Sequence, residues 1–140
     1  MKEPQIKILA AGNVFSRMMF FQKSGDTTYS HQHEYDHGTL LSYGSVLYEV
    51  LDENKNVVKS KEFNAPTFIF VPKLTYHRLV ALEDNTVCAC IHALRTIDNE
   101  LLDPDFLIDN KNFEYGEMPS FIHKETGKLM RPAIVKKHHE

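Results

Sequence analysis

Over its first 95 residues the chain alternates short apolar runs with polar breaks and holds no helical period between them. Val14 to Gln22 (Val-Phe-Ser-Arg-Met-Met-Phe-Phe-Gln) is rich in apolar and aromatic residues. Bounded by Gly12 and by Ser24-Gly25, it predicts a strand buried on at least one face. Residues 1–12 read as a short lead-in carrying Ile6 and Ile8. Ser45 to Leu51 predicts a strand, Asp52-Glu-Asn-Lys-Asn a polar turn, and Val57 to Phe63 the returning arm of that hairpin, amphipathic and at an edge. Ala65 to Pro72 is a short aromatic and β-branched run with a proline at each end. Those prolines suit strand boundaries, because neither could donate to a central ladder. His77 to Leu82 and Thr86 to Leu94 follow as strands around a Glu83-Asp84-Asn85 turn. Seven or eight short strands at this spacing predict an all-β sandwich or barrel.

After Arg95 the texture changes. Thr96 to Leu102 offers an N-cap and a few apolar residues, enough for one or two helical turns. The rest, to residue 140, has prolines at 104, 119 and 132 and scattered aromatics (Phe106, Phe113, Tyr115, Phe121). It is too apolar for a disordered tail and too irregular for a second domain. The expected division is therefore a barrel over 1–95 and an extension over 96–140, packing on that barrel or on a partner subunit. His138 and His139, in a charged terminus, read as solvated.

Composition narrows the classes. A chain of 140 residues, 42% hydrophobic and 25% charged, suits one globular domain that buries a core without disulfide or metal scaffolding. A formal charge of −3 gives no electrostatic reason to expect nucleic acid as a partner. No apolar run approaches the roughly 20 residues that span a bilayer. The opening Met-Lys-Glu-Pro-Gln-Ile-Lys lacks the apolar core of a signal peptide, so the expected location is cytoplasmic. Cys88 and Cys90 are the only cysteines. Two apart on a strand, they share a face in a geometry awkward for a mutual bridge, and read as free thiols.

The candidate chemistry lies between Gly25 and Gly44, where three of the eight histidines fall at 31, 33 and 37. Side chains two and four apart on a strand share a face, which places His31 and His33 about 7 Å apart at Cα, near enough for two imidazoles to reach one ion. His37 keeps that parity if the strand continues without a bulge, while Asp36 has the wrong parity. His77 arrives from a distant strand, so three ligands from one strand and one from another predict a preformed cage. Other chemistries find no footing: there is no Gly-x-Ser-x-Gly elbow, no phosphate-cradling glycine loop and no dinucleotide fingerprint. Nucleophilic catalysis through Cys90 and His92 has no support in a lowered thiol pKa.

These residues resemble the cupin family, whose first motif runs Gly, five residues, His-x-His, three or four residues, Glu, six residues, Gly. Gly25, His31, His33, position 37 and Gly44 match that spacing, with His37 standing where the family has glutamate. The second motif runs Gly, five residues, Pro-x-Gly, two residues, His, three residues, Asn. Pro72 and His77 match it; Pro66, Leu74 and Ala81 replace the two glycines and the asparagine. The resemblance covers roughly residues 12 to 95 and implies a double-stranded β-helix (jelly-roll barrel) with an irregular C-terminal extension.

It also implies metal ligation by His31, His33, His37 and His77, with His37 alternatively beside a three-histidine ion. Four neutral imidazoles would leave a divalent ion at +2, where a carboxylate leaves +1. That raises a ferric/ferrous potential and acidifies bound water. Imidazole suits several ions, with iron the leading expectation and nickel, manganese and zinc the others. The expected protein is a small-molecule metalloenzyme, first an iron-dependent dioxygenase. The alternatives are metal-assisted isomerase or lyase chemistry and a non-catalytic zinc-holding or ligand-sensing barrel. A homodimer is expected. Tyr43, Tyr48 and Tyr76 could offer a phenol to the substrate, and Arg17 and Arg78 could hold a carboxylate. His92, sharing parity with Cys88 and Cys90, reads as a core or rim residue or as part of the wall opposite the metal.

Overall fold

The structure is a computed structural model that describes residues 2–11, 14–95, 106–109, 120–123, 129–130 and 136–137. Nine strands account for most of residues 2–95: β1 (Gln5–Ala11), β2 (Val14–Phe21), β3 (His31–Gln32), β4 (His37–Tyr43), β5 (Ser45–Leu51), β6 (Val57–Asn64), β7 (Thr67–Val71), β8 (Tyr76–Ala81) and β9 (Thr86–Ala93). They form two antiparallel sheets. The first has the order β1-β2-β9-β4-β7; in the second, β3-β8-β5-β6 are neighbours. The segment expected as a lead-in is thus a strand, paired along its whole length with β2 from Gln5↔Phe20 to Ala11↔Val14. Its Ile6 and Ile8 are the alternation that such a strand needs, and Ile8 is buried.

Alternation decides which side chains enter the interior. On β2 the odd positions Phe15, Met19 and Phe21 are buried and Val14 and Met18 are exposed. In the second sheet Val46 and Tyr48 of β5 meet Ala81 and Leu79 of β8. With Leu41, Ile69 and Val71 from the first sheet these residues make one core between the sheets. The edge strand β6 is exposed nearly throughout, with only Phe63 partly buried, so the expected two-faced alternation is absent there. Its lysines at 59 and 61 blunt a free edge against pairing with another chain.

The two motif glycines have a physical cause. Gly25 and Gly44 sit at φ 93° and 85°, the left-handed region that other residues avoid. A Cβ on Gly44 would also strike the Thr86 hydroxyl. The glycine missing from the second motif leaves its mark: Leu74 occupies that position at φ 55°, with its side chain exposed.

Beyond residue 95, β10 (Phe106–Asp109), β11 (Ser120–His123) and β12 (Leu129–Met130) form a three-stranded antiparallel sheet. A short β13 (Lys136–Lys137) pairs with β3. The helical turns expected at 96–102 and the histidines at 138 and 139 lie outside the described residues. No helix among the described residues is long and apolar enough to cross a membrane.

Candidate metal centre

The histidine segment is not one strand. β3 ends at Gln32, residues 33–36 turn a corner, and β4 begins at His37 in the other sheet. The corner has its own ties: Asp36 Oδ1 accepts the Lys73 amide (2.8 Å), and the His33 carbonyl accepts the Leu74 amide (2.7 Å). Asp36 therefore stitches the turn before β8 to the corner rather than entering the cage. The expectation of three ligands on one strand fails in its geometry, because the chain crosses between sheets inside the motif. The crossing still brings all four rings together. His31 and His77 are directly opposed on β3 and β8, with ring centroids 4.4 Å apart. His33 lies 4.9 Å from His31 and 5.3 Å from His77.

One ring nitrogen from each of His31, His33 and His77 falls within 4.8 Å of the others. Neighbouring nitrogens on one ion at about 2.1 Å lie about 3.0–3.4 Å apart, so a pair at the 4.8 Å limit would have to close by somewhat more than about 1 Å to share it. His37 stands beside this trio, its ring 4.5 Å from His33 and 5.9 Å from His77.

Hydrogen bonds set which nitrogen faces the centre. His31 Nδ1–H donates to the Tyr29 carbonyl and His77 Nδ1–H to the Thr75 carbonyl, both at 2.8 Å. A carbonyl only accepts, so the proton sits on Nδ1 and the Nε2 lone pair is left for an ion. His33 and His37 are 6% and 4% exposed, and none of their four ring nitrogens has a hydrogen-bond partner among the described residues. A buried polar atom left without a partner costs roughly 1–3 kcal/mol. A metal ion is the partner that suits neutral imidazoles on several sides at once, so the residues fit one.

Their protonation agrees. Burial, then the neighbouring His77, lowers the His31 pKa to about 3. Burial, then the same neighbour, lowers His37 to about 3. His33 is lowered by burial and then by His31 and His37, and His77 by burial against the opposing Thr75 bond. All four are neutral at pH 7, the state that ligates.

A pocket of about 60 Å³ opens beside the rings of His31, His33 and His37, enough for a few waters or a small organic group. Its far wall is the inner face of the first sheet, including Phe15, Arg17, Cys90 and His92. Here the sequence had pointed at the wrong phenols. Tyr43 is exposed, Tyr48 is buried in the core, and none of Tyr43, Tyr48 and Tyr76 lines the pocket. Tyr35 does, from the motif's own corner. His92 Nδ1–H donates to the Ala93 carbonyl (2.7 Å), which leaves Nε2 to accept the Tyr35 hydroxyl at 3.3 Å. Phe15 stacks on His92 with centroids 4.7 Å apart, and the Arg95 guanidinium lies 5.2 Å over the Tyr35 ring. Burial, then Cys90, pushes the Tyr35 phenol up to about 12. Burial also raises both thiols, Cys88 to about 12, so neither is an activated nucleophile. Both are free, as the spacing predicted. Arg78 is withdrawn from any ligand role by Glu49, whose Oε1 accepts its Nε–H at 2.9 Å.

No family model and no curated protein matches this chain. Solved structures do. A variant of oxalate decarboxylase from Bacillus subtilis superposes with a TM-score of 0.54 at 18% identity, over 65% of this chain and 25% of that one. KdgF from Halomonas sp. superposes with a TM-score of 0.55 at 21% identity, over 66% of this chain and 82% of that one. Another structure of the B. subtilis decarboxylase, at 19% identity over 64% of this chain and 25% of that one, is described by its Mn(II) centres (TM-score 0.54). The chain thus spans a quarter of the decarboxylase and most of KdgF. Two antiparallel sheets, motif glycines at positive φ and imidazoles converging between the sheets are what the motif resemblance implied, and these likenesses show that the fold is that of the cupins.

Proposed function

We propose that this protein is a metalloenzyme that holds one divalent transition metal through His31, His33, His37 and His77 and acts on a small molecule in the adjoining pocket. The observation that carries the reading is the state of the ring nitrogens. Two imidazoles are locked by backbone carbonyls with Nε2 left bare, and two are buried with no partner on either nitrogen among the described residues. His37 enters the ligand set on that ground, although its ring stands just outside the closest trio.

Iron is the metal we favour, because bound iron with open positions supplies dioxygen chemistry to a chelating substrate. The protein's own residues do the rest. His31 and His77 are held in one tautomer by Tyr29 and Thr75. Phe15, Met19 and Leu94 keep bulk water from the inner end of the pocket. Tyr35 holds a proton at its hydroxyl, directed at His92 Nε2. That pair also favours a second reading, non-redox lyase or isomerase chemistry with the metal as a Lewis acid, since such reactions need a proton placed or removed beside the substrate. The likeness to a decarboxylase is compatible with it. A homodimer remains our working assembly.

The test is dioxygen uptake by iron-loaded protein, with zinc-loaded protein as control, against a panel of small chelating acids and hydroxy ketones. Uptake by the iron form alone supports dioxygenation. Carbon dioxide release or isomerisation without uptake, in both metal forms, supports the second reading. Neither, in protein carrying one metal per chain, would return the fold to a holding or sensing role.

A further inference from the structure

Arg17 is placed where an arginine is rarely tolerated. It is an inward position of β2, two residues from Phe15 (4% exposed) on one side and Met19 (3%) on the other. Its cross-strand neighbours on the same face are the buried Ile8 of β1 and Cys90 of β9. Arginines seldom sit half-buried among apolar side chains without a carboxylate. Arg78 has one in Glu49, but Arg17 makes no ion pair among the described residues. Two acids come near the site without meeting it. Glu3 lines the exposed mouth, beyond ion-pair distance, and Asp36 is engaged by the Lys73 amide. Arg17 lines the same pocket as His31, His33 and His37, and its charge reaches His31, Tyr35 and Cys90.

We infer that the pocket takes a small carboxylate, whose two oxygens are held by the Arg17 guanidinium while the other end of the molecule faces the histidine cluster. The inference rests on the metalloenzyme reading and names its substrate class. The fork of N–H donors on a guanidinium matches a planar carboxylate, and the apolar walls exclude the water that would otherwise compete. The pocket's apolar lining from Ile6, Phe15 and Leu94 suits a short carbon skeleton between the two polar ends. Beside Arg17, Cys90 Sγ and Thr39 Oγ1 engage each other at 3.4 Å, and a second guanidinium, Arg95, lines the same pocket over the Tyr35 ring.

The experiment is calorimetric titration of manganese-loaded and metal-free protein with two- to five-carbon carboxylates, each paired with its uncharged amide, and with inorganic phosphate. Wild type, Arg17→Gln and Arg17→Lys are compared, with metal content and thermal midpoint measured on each. Wild type should bind at least one carboxylate about 10- to 100-fold more tightly than its amide. Arg17→Gln should lose that preference and Arg17→Lys should keep part of it, both with wild-type metal content. Carboxylate affinity unchanged in Arg17→Gln, no carboxylate bound by loaded wild type, or phosphate preferred over every carboxylate would each overturn the inference. Arg17-dependent carboxylate binding in a wild type that takes up no metal would instead overturn the metalloenzyme reading and leave the carboxylate site standing.

Discussion

The two walls of the pocket do different jobs. The wall built from β3 and the 33–36 corner, with His77 of β8 against its His31, presents imidazoles whose nitrogens are either fixed by a carbonyl or left bare. The wall built from β2, β9 and the residues just after β9 presents the Arg17 and Arg95 guanidiniums, one stacked histidine and apolar side chains. His37 joins the first group chemically, although its strand β4 belongs to the same sheet as β2 and β9. Neutral imidazoles attract a cation, and a guanidinium attracts an anion. On the reading proposed above, walls facing each other across about 60 Å³ would take the two ends of one molecule.

If that division is right, changes in one wall should remove the metal and changes in the other should spare it. The largest effect is expected from His77→Ala or His31→Ala, each of which removes one of the opposed rings on β3 and β8. Both should lose bound metal and all metal-dependent turnover. Element analysis after desalting checks this. Tyr35→Phe comes next: metal content should stay at the wild-type level while turnover falls by roughly 10²-fold or more, the scale of a lost proton-transfer group. Loss of metal in Tyr35→Phe would break the comparison, because it would make the Tyr35–His92 pair part of the cage.

Acid sensitivity sharpens the same contrast. Burial holds the folded-state pKa of His31 and His37 near 3, below the ordinary 6.5. The unfolded chain therefore binds more protons between those values, so metal-free protein is at full stability above pH 6.5 and loses it as pH falls toward 3. Denaturant midpoints along that series should drop steadily. His31→Gln with His37→Gln should flatten the slope.

Two backbone positions give smaller effects. Gly44→Ala puts a Cβ at φ 85° against the Thr86 hydroxyl and should cost about 1–3 kcal/mol in urea unfolding. Leu74→Gly relieves a left-handed leucine whose side chain is exposed, so it should be neutral or stabilise by up to about 1 kcal/mol. Because the Leu74 amide holds the His33 carbonyl, metal affinity should be kept.

What could be read in the sequence follows the same division. The histidines at 31, 33, 37 and 77 and the glycines at 25 and 44 were legible because ligand spacing and positive φ each demand particular residue types. The break at 33–36 was not, since an unbroken strand and a corner between sheets give His31 and His37 the same parity. β1 was missed because seven residues with two isoleucines fall below the usual strand signal, although pairing with β2 completes it. The far wall depends on register: nothing local says that Arg17 lies opposite Cys90, or that His92 receives the Tyr35 hydroxyl. A signal for Arg17 was present nonetheless, as a charge in phase with Phe15, Met19 and Phe21. Arg78 carried no comparable mark against it, because its partner Glu49 sits 29 residues away on a neighbouring strand.

The most direct test of the central claim is the metal-to-chain ratio by element analysis, on wild type purified anaerobically without chelators or a histidine tag, beside His77→Ala and Arg17→Gln. The account predicts close to one transition metal per chain in wild type and Arg17→Gln, and next to none in His77→Ala. A wild type that stays empty after reconstitution, or a His77→Ala variant that keeps its metal, would contradict it.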